Sequence, residues 1–308
     1  MGWPSRDLCA QGLENTTSDL PPNAIWRLGM ENNSYRSDGV QGIAISPDGR
    51  LIATRSVSHI CSVYDASSGK QLFEFEPFTE SRLSAILFSH DSRELFTLTK
   101  NESEDRPLVS WSMQSGKPSA DYEFAGNRMF RSRDNQNVIL FRDIQKVTFD
   151  PRKPTQAQSS YLQLTSRKNA TAMALSRSQS TVLLYVPPPS NRINSHRLTI
   201  LSNKGPNGRD VIFDSRILSV SVSPRTDHIA LACKNDARVH IQSTSDRREM
   251  YQLQGHSDAV HAVEFTPDGR FMISVSEDGK ARIWDTATME TIQTVEGHGD
   301  RLVSVAVS

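Results

Sequence analysis

Residues 255–298 read GHSDAVHAVEFTPDGRFMISVSEDGKARIWDTATMETIQTVEGH. A Gly-His pair opens the stretch and another closes it, with Trp284-Asp285 between them. Four runs inside it are rich in Val, Ile and aromatic residues and have strand length: AVHAVEF, FMISVS, ARIWD and ETIQTV. Asp268-Gly269 and Asp278-Gly279 separate the first three runs. Asp-Gly readily supplies the positive φ that a tight hairpin needs, so each dipeptide reads as a turn. Strands joined in sequence by hairpins form one small antiparallel sheet.

The pattern recurs along the chain. The Ser or Thr that ends the first run of each unit serves as a ruler: Ser46, Ser89, Ser132, Ser176, Ser223, Thr266 and Ser308. Successive spacings are 43, 43, 44, 47, 43 and 42 residues, and the longest spans Pro187-Pro188-Pro189. The third unit is the weakest, with Arg131 where the others carry Ile45, Phe88, Leu175, Val222, Phe265 and Val307. A repeat of about 40–45 residues with four strands each marks the blades of a propeller. Each small sheet is apolar on both faces and gains stability only when stacked between neighbours. Long apolar stripes of helical period are absent, which excludes a helical solenoid. The expectation is an all-β, seven-bladed β-propeller of four-stranded antiparallel blades over residues 24–308, with blades beginning near 40, 83, 127, 170, 217, 259 and 302.

The seventh blade is expected to be incomplete. Its inner strand is 302–308, and copying the sixth unit would require roughly 21 further residues for the next two strands. The strand-like run 24–30 could supply its outer strand, leaving a weakly closed ring with exposed edges. Residues 1–23, of mixed polarity and ending in Pro21-Pro22, are expected to be a disordered lead-in.

On these motifs the chain resembles the WD40-repeat family over about residues 24–308, most strongly in the sixth unit. The resemblance implies a propeller and a hydrogen-bonded tetrad of His, Ser, Asp and Trp within a blade. The sixth unit matches at all four positions: His256, Ser274, Asp278 and Trp284. Other units depart from it. The first has Thr54 and Tyr64 but neither Asp nor Gly-His. The second has Trp111 followed by Ser112, and the fifth has Asp236 with Gln242 at the Trp position. The resemblance also places the loops between second and third strands on the same face as the Gly-His loops.

Chemistry beyond structure is weakly signalled. There is no G-x-S-x-G, HExxH or Walker loop. Ser67-Ser68-Gly69-Lys70 and Ser115-Gly116-Lys117 read as repeated turns between third and fourth strands, not as phosphate loops. Cys9, Cys61 and Cys233 are far apart and make no CxxC, so no zinc or dithiol site is indicated and no cofactor is expected. Lys+Arg and Asp+Glu each number 35, so the net charge is zero, which argues against generic nucleic-acid or membrane-surface binding. No apolar run has the length of a membrane helix, and the first residues contain no signal core; the expected compartment is the cytoplasm.

Two loops exceed what the fold requires. One, at 100–107, carries Glu102, Glu104, Asp105 and Arg106; the other, at 187–195, carries Pro188, Pro189 and Arg192, with His196 just beyond. Long loops on a rigid scaffold often carry function, which makes these residues the candidate partner-binding set. The expected function is a non-enzymatic scaffold that binds other proteins on this loop face, as a monomer or within a larger complex. One alternative is an enzyme with a catalytic or metal site at the channel mouth, built from the residues preceding the first strands: Asp38, Ser81, Asn127, Asn169, Ser215, Asp258 and Asp300. The other is a chromatin- or nucleic-acid-associated propeller subunit.

Overall fold

The structure, a computed structural model, describes residues 39–75, 82–100, 108–122, 124, 126, 128–132, 136–142, 145–161, 171–176, 181–186, 196–202, 209–244, 249–296 and 301–307. These residues form six four-stranded antiparallel sheets, each a meander in chain order. Sheet one comprises β1 (Val40–Ile45), β2 (Leu51–Ser56), β3 (Cys61–Asp65) and β4 (Gln71–Phe75). Sheet two comprises β5 (Arg82–Phe88), β6 (Glu94–Lys100), β7 (Leu108–Ser112) and β8 (Pro118–Tyr122). Sheet three comprises β9 (Arg128–Arg131), β10 (Val138–Arg142), β11 (Gln145–Phe149) and β12 (Gln158–Tyr161). Sheet four comprises β13 (Thr171–Leu175), β14 (Thr181–Val186), β15 (His196–Ser202) and β16 (Arg209–Phe213). Sheet five comprises β17 (Ile217–Val222), β18 (His228–Cys233), β19 (Val239–Ser243) and β20 (Glu249–Leu253). Sheet six comprises β21 (Val260–Phe265), β22 (Phe271–Ser276), β23 (Ala281–Asp285) and β24 (Thr291–Val295). First strands touch first strands in series, from β1 to β21, so they form the inner wall and the sheets radiate as propeller blades.

The core lies between sheets, and strand periodicity puts it there. Successive side chains on a strand point to opposite faces. On β18, Ile229, Leu231 and Cys233 face sheet four, while Ala230 and Ala232 join the cluster shared with sheet six. On β6, Leu95 packs toward sheet one, while Phe96 and Leu98 pack toward sheet three. A strand buried on both faces reads as a continuous apolar run, hence HIALAC and ELFTLT. Phe75 stacks on Trp111 across the first interface, with ring centroids 4.5 Å apart.

The residues that mark the repeat have a local structural reason to be Ser or Thr. Ser46 accepts a hydrogen bond at Oγ from the Leu51 N–H (2.8 Å) and donates to Asp48 Oδ1 (2.6 Å). Glu94 N–H donates to Ser89 Oγ at 2.9 Å, Asn137 N–H to Ser132 Oγ at 3.0 Å and Phe271 N–H to Thr266 Oγ1 at 3.1 Å. The hydroxyl closes the turn between first and second strands by occupying a backbone donor at the turn's far end. Ser132 does this in sheet three despite Arg131 beside it.

Sheet three departs elsewhere. The other five first strands carry a bulge near their start, at Val40/Gly42, Leu83/Ala85, Ala172/Ala174, Ile217/Ser219 and Val260/Ala262. β9 pairs with β10 in unbroken register, and β10 pairs with β11 from Val138–Phe149 to Arg142–Gln145. The regions 1–38, 101–107 and 187–195 lie outside the described residues, so the expected lead-in, the closing strand at 24–30 and both long loops do too. Residues 301–307 pair in no sheet, although Leu302 N–H donates to the Ser276 carbonyl at 2.9 Å. Val260, at the start of β21, also donates to a carbonyl of the preceding sheet, that of Asp236 in the turn after β18, at 2.9 Å.

Candidate functional site

Hairpin geometry fixes which groups share a face. The connection from β22 to β23 and the approach to β21 meet at one end of sheet six, and His256 joins them. Its Nδ1 lies 2.9 Å from Asp278 Oδ2 and its Nε2 lies 2.7 Å from Ser274 Oγ. Trp284 Nε1–H donates to the same Ser274 Oγ at 2.9 Å. Asp278 also accepts from the Ser257 N–H (3.0 Å) and the Lys280 N–H (2.9 Å). The His256 and Asp278 side chains are 1% and 3% exposed, so the network is sealed from water.

Electrostatics select one proton arrangement. Burial pushes the His256 pKa below the ordinary histidine value even though Asp278 pulls the other way. Asp278 is raised by burial but lowered further by the Ser257 N–H, His256 and Lys280 N–H, and ends below the usual carboxylate range. A neutral imidazole therefore donates from Nδ1 to Asp278 and accepts at Nε2 from the Ser274 hydroxyl, which accepts from the indole. Every donor has an acceptor, and no nucleophile is left free.

Sheet two holds part of the same device: Trp111 Nε1–H donates to Thr97 Oγ1 at 2.8 Å. The longer connection between β6 and β7 puts these residues 14 apart, against 10 for Ser274 and Trp284, which hides Thr97 from simple counting. In sheet five Leu231 and Gln242 stand at the Ser and Trp positions, and Asp236 is satisfied differently. His240 Nε2 lies 2.8 Å from its Oδ2, and Arg238 binds both of its oxygens at 2.9 and 3.0 Å. Burial raises the Asp236 pKa, but these donors bring it down to about 2. Sequence reading missed His240 because its partner sits four residues earlier, on its own hairpin.

Of the candidate loop residues, Glu102, Glu104, Asp105, Arg106, Pro188, Pro189 and Arg192 lie outside the described residues. His196 opens β15, where its Nδ1 and the Tyr185 hydroxyl are hydrogen-bond partners and the two rings stack. Burial, then the charge of Arg216, holds its pKa low. Among the residues considered for a channel-mouth site, Asp258 is committed locally. Its Oδ1 accepts from the Ala259 N–H at 2.7 Å and its carbonyl from Ser276 Oγ at 2.8 Å. Ser215 is half-buried; Asp38, Ser81, Asn127, Asn169 and Asp300 lie outside the described residues. The turn Ser67–Lys70 wraps Asp65, whose Oδ1 accepts from the Ser67 and Ser68 N–H groups and hydroxyls, which lowers its pKa to about 2. That donor supply is already occupied by the chain's own carboxylate, so the turn is no phosphate loop.

The family description "WD domain, G-beta repeat" matches residues 247–285, the stretch that holds this network. Residues 247–285 form a WD40 repeat, and the chain resembles WD40-repeat propeller proteins. Among WD40 relatives, the serine-threonine kinase receptor-associated protein of Gallus gallus is 24% identical over 261 residues, covering 82% of this chain and 68% of that protein. The apoptotic protease-activating factor 1 of Danio rerio is 29% identical over 224 residues, 71% of this chain and 16% of that protein. The periodic tryptophan protein 2 homolog of Mus musculus is 26% identical over 87 residues, 28% of this chain. The chain aligns with only 10% of the length of that last protein. Among the described residues, no helix is long and apolar enough to cross a membrane.

Proposed function

We propose that the chain is a non-enzymatic scaffold that binds other proteins on the propeller face carrying the Gly-His approach and the connections between second and third strands. The observation that carries this reading is the His256 network. It spends the imidazole, carboxylate and hydroxyl most suited to chemistry on pinning two loops of that face to the sheet. A face held rigid in this way is suited to docking. The names of the relatives, one a receptor-associated protein and another, from Schizosaccharomyces pombe, a target of rapamycin complex subunit, fit a life spent in assemblies. Zero net charge favours protein partners over nucleic acid or membrane. Seven blades complete the proposed architecture, with 302–308 as the inner strand of the seventh; Leu302, at the repeat position of Val260, likewise donates to a carbonyl of the preceding sheet, which supports this. The proposed setting is the cytoplasm, with the propeller as a monomer or one part of a larger complex.

Affinity capture from native extract with mass spectrometry tests the reading. Replacing 101–107 or 187–195 by Asp-Gly turns should preserve folding and deplete specific partners. Identical partner sets for wild type and both shortened variants would refute it.

A further inference from the structure

In each sheet the hairpins from first to second and from third to fourth strands lie at the end opposite the Gly-His approach. At that end a cleft opens between sheets two and three, at the margin of the apolar cluster they share. Phe88, Phe96 and Val138 give it an apolar lining, Glu94 enters from sheet two, and Arg131 and Pro151 enter from sheet three.

The cleft has a cause in the sequence. Arg131 stands just before the marker Ser132, where the other units carry apolar residues. In the packed sheets that residue plugs the interface with the preceding sheet. Phe88 is 1% exposed between sheets one and two, and Phe265 is 7% exposed between sheets five and six. Val222 packs on the cluster between sheets four and five. An arginine does not fill this place, because its guanidinium seeks water and draws the side chain toward the surface. The plug is missing between sheets two and three, and the cleft lies there.

The carboxylates around it are unequally matched. Asp150 binds Arg152 through both oxygens at 2.9 Å. Asp91 has His90 and Arg93 beside it and accepts from the Ser89 hydroxyl at 2.7 Å. Glu94 lacks such compensation. It is half-buried and accepts from Ser110 Oγ at 3.4 Å. Desolvation, and to a lesser degree the charge of Asp91, pushes its pKa up, and no cation, Arg131 included, is among the groups that act on it.

We propose that this cleft binds a lysine or arginine side chain presented by a segment of a partner protein, with the cationic end against Glu94 and the aliphatic stem across the apolar lining. A cation supplies the charge-assisted bonds that Glu94 lacks, and a stem of methylenes suits the lining. The cleft holds about 460 Å³ with its mouth included, and that mouth is open to solvent, which leaves room for the chain that carries the side chain. It lies on the face opposite the long loops, so it gives the scaffold a second and separate docking point.

Titration of the isotopically labelled chain with short blocked Gly/Ser peptides tests the proposal. Their central residue is arginine, lysine, norleucine or glutamate. The arginine and lysine peptides should shift the Val138 methyl and Glu94 carboxyl resonances saturably. They should also move the Glu94 titration midpoint to lower pH, because a bound cation favours the ionised form. The norleucine and glutamate peptides should do neither. Glu94→Gln should weaken binding of the arginine peptide by about tenfold or more. Arg131→Leu restores the residue that the fourth unit carries, so it should fill the cleft, raise the melting temperature and weaken binding by a similar factor. No saturable shift with either cationic peptide, equal binding of the norleucine peptide, or a preference for glutamate overturns the proposal. Unchanged or tighter affinity in either variant overturns it too. The Glu94 midpoint in the wild-type chain needs no substitution and decides the matter if a variant fails to fold. Loss of loop dependence in partner capture would sink the loop-face reading and leave this one standing.

Discussion

At the scale of single residues, the His256 network gives the most direct prediction. Removing one member of a sealed polar chain leaves the others unsatisfied, so His256→Ala should cost about 1–3 kcal/mol in urea melts. The pH dependence has a definite sign. His256 is held neutral in the fold, so the unfolded chain takes up the proton first, and stability falls as pH drops below the unfolded histidine value of about 6.5. Asp278, depressed in the fold, adds a second loss only below the ordinary carboxylate range. The gap in stability between wild type and His256→Gln should therefore narrow from pH 7.5 to about pH 5. A gap independent of pH would show that the imidazole is not held neutral. Gly116 gives a second test. It has φ +67°, and a Cβ there would lie 2.4 Å from Phe73 Cδ1 of the neighbouring sheet. Gly116→Ala should therefore lose about 1–3 kcal/mol in thermal or urea melts.

At the scale of elements, the inner strands are stitched by side chains where a sheet would otherwise leave a bare edge. Val263 N–H donates to Ser219 Oγ at 3.3 Å and Phe265 N–H to Ser221 Oγ at 3.1 Å, so β17 satisfies donors of β21. Glu264 occupies on β21 the position that Ser221 holds on β17. Burial pushes its carboxyl up to about 7. A raised carboxyl costs nothing below its unfolded value of about 4.5 and destabilises increasingly as pH rises through 7. Glu264→Gln should accordingly stabilise the fold by up to about 3 kcal/mol at pH 8 and have little effect at pH 4, measured by chemical denaturation at both. The same elements explain what could be read from sequence. The Ser/Thr ruler was legible because its hydroxyl bonds locally, and local bonds leave a fixed spacing. Thr97 and His240 were not, since each meets its partner at an offset set by connection length and strand register. Sheet three was faint because β9 lacks the bulge and only two residues of sequence separate β10 from β11.

At the scale of the whole molecule, the buried apolar side chains among the described residues fall into separate clusters between sheets. One apolar cluster lies between sheets one and two, another between two and three, and others between four and five and between five and six. Sheets two and five each contribute opposite faces to two clusters, so damage at one interface reaches the next through the sheet they share. The described free cysteines stand in two of these clusters, Cys61 between sheets one and two and Cys233 between sheets four and five. Burial pushes the Cys61 thiol up to about 12, and the thiolate is the form that reacts. Alkylation at neutral pH must then wait for the surrounding sheets to part. In a Cys9→Ser background, the two thiols become separate clocks on opposite arcs of the ring. Gly116→Ala should quicken labelling at Cys61 and leave Cys233 at its original pace. Equal acceleration at both would mean that the disc breathes as one body, and that a partner gripping any single arc would slow the opening of all of it.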